Sequence, residues 1–424
     1  MSPNNNHFRS FFIIWGGQAI SLLGSQLVQF ALIWWLTQTT QSATVLAMAS
    51  LVGLLPQVVL GPFVGVLVDR WNRRRVMLAA DGSVALATLL LGLLFWLGVV
   101  QIWHVFVILF FRALGGGFHW PAMQASTSLM VPEKHLTRIQ GLNQTLNGGL
   151  NIISAPLGAL LLAVLPMQGV IMVDVGTALF AIVPLLFLSV PQPQRQAQAT
   201  RGLPAFWRSF RQELGQGLRY VRTRRGLVML IALAVIINLV LNPGFTLLPL
   251  LVTEHFQGGA LQLGWLESAS GAGIIAGGLL LGAWGGFRRR ITTSLCGLTL
   301  LGAAVLVIGV TPAAALWLAI VAIFLTGLSM SLTNGPILAI VQNTVAPEMQ
   351  GRVFTLLTSL VSLMTPLGLI IAGPLADLLG VQTWYVAGGL VTFLLAVSGF
   401  FNTTLLGIED LPQPSAPSSS PLPL

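Results

Sequence analysis

Four ionisable side chains stand inside long apolar stretches of this 424-residue chain: Asp81, Arg112, Asp174 and Glu267. A charge within a membrane-length segment is costly to bury, and such residues are kept for work on ions, protons or ligands. A carboxyl reached by water first from one side and then from the other can load a proton and release it. Asp174 and Glu267, each one to two turns from a span end, are therefore candidate proton carriers, with Arg112 and Asp81 as further candidates. Asp81 lies close to an arginine cluster and is expected to pair with it. Other chemistries find no residues. The one lysine, Lys134, is followed by His135, so no P-loop exists, and neither a metal-ligand spacing nor a nucleophile–base set is present. The expectation is a protein that is not an enzyme, holds no metal or cofactor, and draws energy from an ion gradient.

Neutral polar residues recur at helical spacing. Gln18, Ser21, Ser25 and Gln29 share one face, as do Gln144, Asn147, Asn151 and Ser154, and Asn238, Asn242 and Thr246. Amides in apolar helices line a wet cavity or cross-link neighbours, and three striped segments favour a cavity, with Asn334 and Thr358 as possible members. Phe30, Trp34, Trp35 and Phe245 offer apolar walls. Amides and aromatics with few charges suit a large amphipathic small molecule better than a phosphorylated sugar, which would call for a basic cluster. Gly271, Gly273, Gly277, Gly278 and Gly282 indicate close helix contacts.

Positioning these groups falls to membrane helices. Only 7% of residues are charged and 55% are hydrophobic, which no soluble core requires. Apolar segments lie near 11–36, 45–68, 76–99, 103–121, 140–164, 169–190, 227–252, 262–286, 291–311, 314–341, 351–375 and 383–405, giving twelve spans. Of the 20 Lys and Arg residues, all but Arg112 fall at termini or connections on one side, and the connections near 40, 101, 167, 257, 312 and 379 contain none. Cationic loops stay cytoplasmic, so both termini are expected inside a multi-pass inner (plasma) membrane protein, whose arginines meet the lipid bilayer and no nucleic acid. The apolar run from Phe11 is too long for a signal-peptide core and is expected to be a retained first helix. A basic stretch, 191–225, divides residues 1–190 from 226–405, and Phe206 to Val221 within it could lie as an amphipathic helix on the membrane. The tail, 406–424, is expected to be disordered and cytoplasmic. Gly141, Pro156 and Gly158 recur as Gly351, Pro366 and Gly368 at a single offset, so the two six-helix bundles read as repeats.

Between the second and third spans stands Gly65-x-x-x-Asp69-Arg70-x-Asn72-Arg73-Arg74. This resembles the signature of major facilitator superfamily transporters. Asn72 stands where the family usually has Gly, and because Asn tolerates the left-handed backbone, the same turn is expected. Arg112 with Gly116 is similar to a helix 4 signature that the resemblance links to proton transfer. Trp15-Gly-Gly-Gln18, Phe118-His119-Trp-Pro121 and Gly351-Arg352-Val-Phe354 look like the macrolide-efflux branch of the twelve-helix drug:proton antiporters. The resemblance implies an all-α membrane fold of two pseudo-symmetric six-helix bundles rocking about a central cavity, working as a monomer and exporting amphipathic drugs against protons. It also implies a latch of Gly65, Asp69, Arg70, Arg73, Arg74 and Gly351, in which Asp69 meets the start of helix 11 near Gly351 while Arg70 and Arg73 brace neighbouring helices. An exporter of siderophores or lipid-like metabolites, an importer, or a non-transporting receptor of the same fold are the other readings of these residues.

Overall fold

The computed structural model describes residues 3–192 and 203–410, apart from the side chains of 3–6, 62, 65, 66, 69, 70, 203–210 and 213. Gly65, Asp69 and Arg70 of the expected latch thus lie outside the described residues, as does the tail beyond 410. Among the described residues there is no strand. The helices are α1 (Pro3–Thr40), α2 (Ala43–Arg70), α3 (Arg73–Trp96), α4 (Ile102–Met130), α5 (Glu133–Val164), α6 (Met167–Phe187), α7 (Leu203–Arg222), α8 (Arg225–Leu250), α9 (Ala260–Trp284), α10 (Arg290–Val310), α11 (Leu316–Thr344), α12 (Pro347–Leu379), α13 (Val381–Phe400) and the single turn α14 (Thr403–Leu406). Twelve of them, α1–α6 and α8–α13, are long and apolar enough to cross a membrane. Their ends differ from the expected ones where a helix continues beyond its apolar part. α5 starts at Glu133 and α12 at Pro347, because apolarity marks the depth of lipid and not the length of helix.

The sequence repeat is a repeat of packing. In the first half α1 packs on α5 and α6, α3 on α4 and α6, and α2 on α4. In the second half α8 packs on α12 and α13, α10 on α11 and α13, and α9 on α11. The halves meet at two seams that exchange under the same correspondence, α5 with α9 and α12 with α2. Seam contacts gather at the end remote from the arginines. A Cβ on Gly264 would come within 3.2 Å of the Ala155 carbonyl, and one on Gly373 within 3.0 Å of Thr44 Cα. Toward the basic end, a Cβ on Gly141 or Gly351 would meet nothing within 4 Å, Gln140, Leu142, Gln144 and Thr145 of α5 are exposed, and the hydrogen bonds that join the halves lie away from this end, so the halves are parted there.

Two local expectations are corrected. Asn72 is extended (φ −68°, ψ 110°), not left-handed, and its side chain accepts from Arg75 N at 3.1 Å to cap α3. An N-cap amide supplies the turn without positive φ. Residues 406–410 are also folded. Ile408 is fully buried, a Cβ on Gly226 would touch it at 3.1 Å, and Ile291 N donates to Glu409 at 2.8 Å. The linker forms α7, whose C-terminal part docks on α12. Ala346 N donates to Tyr220 Oη at 3.0 Å, and a Cβ on Gly217 would come within 2.9 Å of the Arg352 carbonyl.

Candidate functional site

The α1 stripe does line a cavity. Gln18, Ser21, Ser25 and Gln29 face a space of about 540 Å³ set mainly in the first half, shared with Asp81 and Val84 of α3, Arg112 and His119 of α4, Asp174 of α6 and, from the second half, Thr246 of the α8 stripe. Arg112 is the hub. Its guanidinium pairs with Asp174 and donates to Thr88 Oγ1 at 2.8 Å and the Ser25 carbonyl at 3.0 Å. The second oxygen of Asp174 accepts from Ser25 Oγ at 3.0 Å, and the two charged side chains are only 9% and 3% exposed. Gly24 permits this closeness of α1 and α6, since a Cβ there would sit 3.2 Å from Asp174 Cα and run into Thr177. A buried pair of this kind is tolerated because both members also hydrogen-bond to α1, and removal of one member leaves a charge that costs about 3–5 kcal/mol.

Asp81 is placed differently from expectation. It accepts from Gln18 Nε2 at 2.8 Å and stands 3.6 Å from His119 Nε2. The loop arginines find other acceptors. Arg73 donates to the Ala125 carbonyl at 2.6 Å, and Arg74 to the carbonyls of Leu185 and Leu186. Leu185 and Leu186 are in the last turn of α6, where carbonyls have no partner within the helix and a basic side chain is favoured.

A second cavity, of about 260 Å³, lies in the second half, walled by α8, α9, α10, α11 and α13, and meets the first half at Asn151 of α5. Phe245, Trp384 and Tyr385 are among its walls, and Glu267 reaches it with Ser270 and Thr326. Trp384 Nε1 donates to the Val240 carbonyl at 3.0 Å and Tyr385 Oη to that of Gly244, so the polar ends of both rings are occupied within the second half. Glu267 forms no hydrogen bond or ion pair among the described residues, in contrast to Asp174. The Ser268 hydroxyl beside it bridges the seam, donating to the Ile152 carbonyl at 2.9 Å.

Other expected cavity residues go elsewhere. Asn242 donates to Asn238 Oδ1 at 3.2 Å and to Thr365 Oγ1 of α12 at 2.8 Å, so the α8 amides cross-link helices, the other use of a buried amide. Asn147 borders a side pocket of about 50 Å³ with Gln18 and His119. Asn334 is exposed on α11 and lines neither cavity. Phe30 is buried against Gly158, Trp35 stacks edge-on with Phe95, and Trp34 packs on the core, leaving Phe245 as the aromatic wall of the expected four. On α9, Gly271, Gly273 and Gly277 make the expected close contacts, whereas Gly278 and Gly282 meet nothing within 4 Å. Three residues at these sites, His119, Thr88 and Tyr385, are not among the candidate site residues read from the sequence, where His119 enters only as part of a motif. Of these only His119 carried a signal, two turns from Arg112 on the same helix face.

Two six-helix repeats parted at one end and closed at the other, with charged and aromatic cavities at mid-depth, define a multi-pass membrane transport protein. Residues 14–356 and 244–422 match the Major Facilitator Superfamily, and the chain belongs to that family. It is 34% identical over 397 residues to macrolide efflux protein A of Streptococcus pyogenes, covering 94% of this chain and 96% of that protein. It is 28% identical over 404 residues to the multidrug efflux pump Tap of Mycobacterium tuberculosis (strain ATCC 25618 / H37Rv), covering 91% of each. Its fold is also that of a bacterial homologue of the human lysosomal transporter Spinster in an inward-facing, unoccupied conformation, with TM-score 0.68, 14% identity, and 98% and 100% of the two chains covered.

Proposed function

We propose that the chain exports amphipathic drugs of macrolide type from the cell in exchange for protons, by alternating access. The observation that carries the reading is the seam-side cavity, where an unpaired carboxyl, Glu267, faces aromatic walls and a residue of the opposite half. Its apolar surface suits the body of an amphipathic molecule, and its carboxyl suits proton exchange as access alternates. The names of the relatives supply the drug class. The basic end is taken as cytoplasmic by the positive-inside rule, which puts both termini inside and makes this conformation inward-open. When the halves rock the other way, the Asp69 carboxylate meets the α12 N-terminus near Gly351, where helix-end amides favour an anion. Intracellular accumulation of labelled erythromycin is the test, in cells with and without the protein and with a protonophore added halfway. Lower accumulation that rises on uncoupling is expected. Equal accumulation would remove the macrolide and turn the search to siderophores and lipid-like metabolites, and higher accumulation would mark an importer.

A further inference from the structure

At the outer end of the α2–α12 seam, one carboxylate joins the two halves. Asp377, two residues before the end of α12, accepts from the backbone amides of Ala43 at 2.6 Å and Thr44 at 3.1 Å, and from Ser42 Oγ at 3.1 Å. Ser42 is the N-cap of α2, and its own hydroxyl accepts from Val45 N at 3.3 Å while its carbonyl accepts from Leu46 N at 3.2 Å. A helix start leaves its first amides without partners inside the helix. In α2 those of Ala43 and Thr44, which the cap of its own sequence does not reach, are satisfied from the other half of the molecule.

The packing beneath makes that reach possible. One turn before Asp377, Gly373 lies against Thr44 and Ala47, and Ala43, Ala47, Ala372 and Ala376 are all buried. Small residues bring the two backbones together but hold them only by contact. The three hydrogen bonds to Asp377 add direction and charge, since a carboxylate at a helix N-terminus is favoured by both the free amides and the helix dipole. These bonds exist only while the outer ends touch.

We propose that Asp377 is a positioning residue that latches the outer gate, setting how much of the protein faces inward. The inference rests on the alternating-access reading above. Opening outward must draw the α2 and α12 tips apart, giving Ala43, Thr44 and the carboxylate to water. Water replaces those partners at modest cost, so the latch biases the exchange without freezing it.

Double electron–electron resonance on the full chain in nanodiscs tests this. With Cys296→Ser as background, spin labels at Val99→Cys and Ala313→Cys read the outer ends, and labels at Lys134→Cys and Arg288→Cys read the basic ends. All four positions are exposed. Asp377→Ala is expected to raise the outward-open to inward-open ratio about tenfold, the size of a lost helix cap with its charge. The outer pair lengthens, the basic pair shortens, and Asp377→Glu reverses both. Should Asp377→Ala fail to insert, the near-isosteric Asp377→Asn is expected to give the same exchange at about threefold. Distances equal to wild type in the inserted variant overturn the latch, including the case in which only thermal stability falls. No substrate enters the measurement, so a negative erythromycin result leaves the distances and their meaning for the latch unchanged, and unmoved distances leave the export reading standing.

Discussion

The two halves share one packing scheme and use it for opposite electrostatic ends. In the first half, the buried charges among the described residues are tied down. Arg112 binds Asp174, Thr88 and the Ser25 carbonyl, and Asp81 is held by Gln18 and faces His119. In the second, Glu267 faces an aromatic cavity without a partner among the described residues, while the nearby tyrosine and tryptophan spend their polar atoms on the backbone. The lesson is that duplication conserves helix contacts far better than it conserves chemistry. A satisfied pair fixes structure, and a lone carboxyl remains available to a proton or a ligand.

The hairpin between α2 and α3 offers the sharpest break. Asp69 ends that of the first half, while the corresponding stretch of the second, Trp284 to Phe287, has no acid. Asp69→Asn is expected to abolish net transport while leaving membrane insertion intact, and wild-type transport rates would show that the one-sided acid is incidental. Next in size is the buried pair. Arg112→Leu alone should cost about 3–5 kcal/mol of stability, and Arg112→Leu with Asp174→Leu should recover most of it, because the loss comes from the charge left behind. Thermal melting in detergent reads both. Glu267→Gln should do the reverse. Protonophore-sensitive export should fall about tenfold or more, a coupling loss of about 1.4 kcal/mol or above, with no loss of melting temperature. If Glu267→Gln melts as early as the Arg112 variant, the contrast between the halves is gone.

How much of this is legible in the sequence follows from the range of each signal. Spans, the charge asymmetry and the repeat are local or periodic, so the twelve helices and two halves were legible. The α1 stripe was too, because Gln18, Ser21, Ser25 and Gln29 share a face whatever surrounds them. Partnerships were not. Asp81 is near the arginines in sequence, yet it meets Gln18 across 63 residues and His119 on another helix. Asn238 and Asn242 carry the same signal as a cavity stripe but spend it on Thr365, because an amide pattern gives the face and not what it touches. Asp377 carries no local signal for a related reason: its value lies in the α2 amides, more than 300 positions away.

The second hairpin closes the comparison with the smallest effect. Its Arg289 stands 3.3 Å from Asp410 and donates to the Leu406 carbonyl at 3.2 Å, so its acidic partner arrives from the segment after α13. Both side chains are more than half exposed, at 52% and 64%, and water screens such a pair. Asp410→Asn should therefore change stability by no more than about 0.5 kcal/mol, the usual worth of an exposed ion pair, and leave export unchanged. Ile408→Ala, two residues away and fully buried in the wild type, should cost about 2–5 kcal/mol by the cavity it leaves. Melting curves of the two variants side by side separate what holds this segment down. A larger loss from Asp410→Asn than from Ile408→Ala would mean that the second half, like the first, relies on a paired charge.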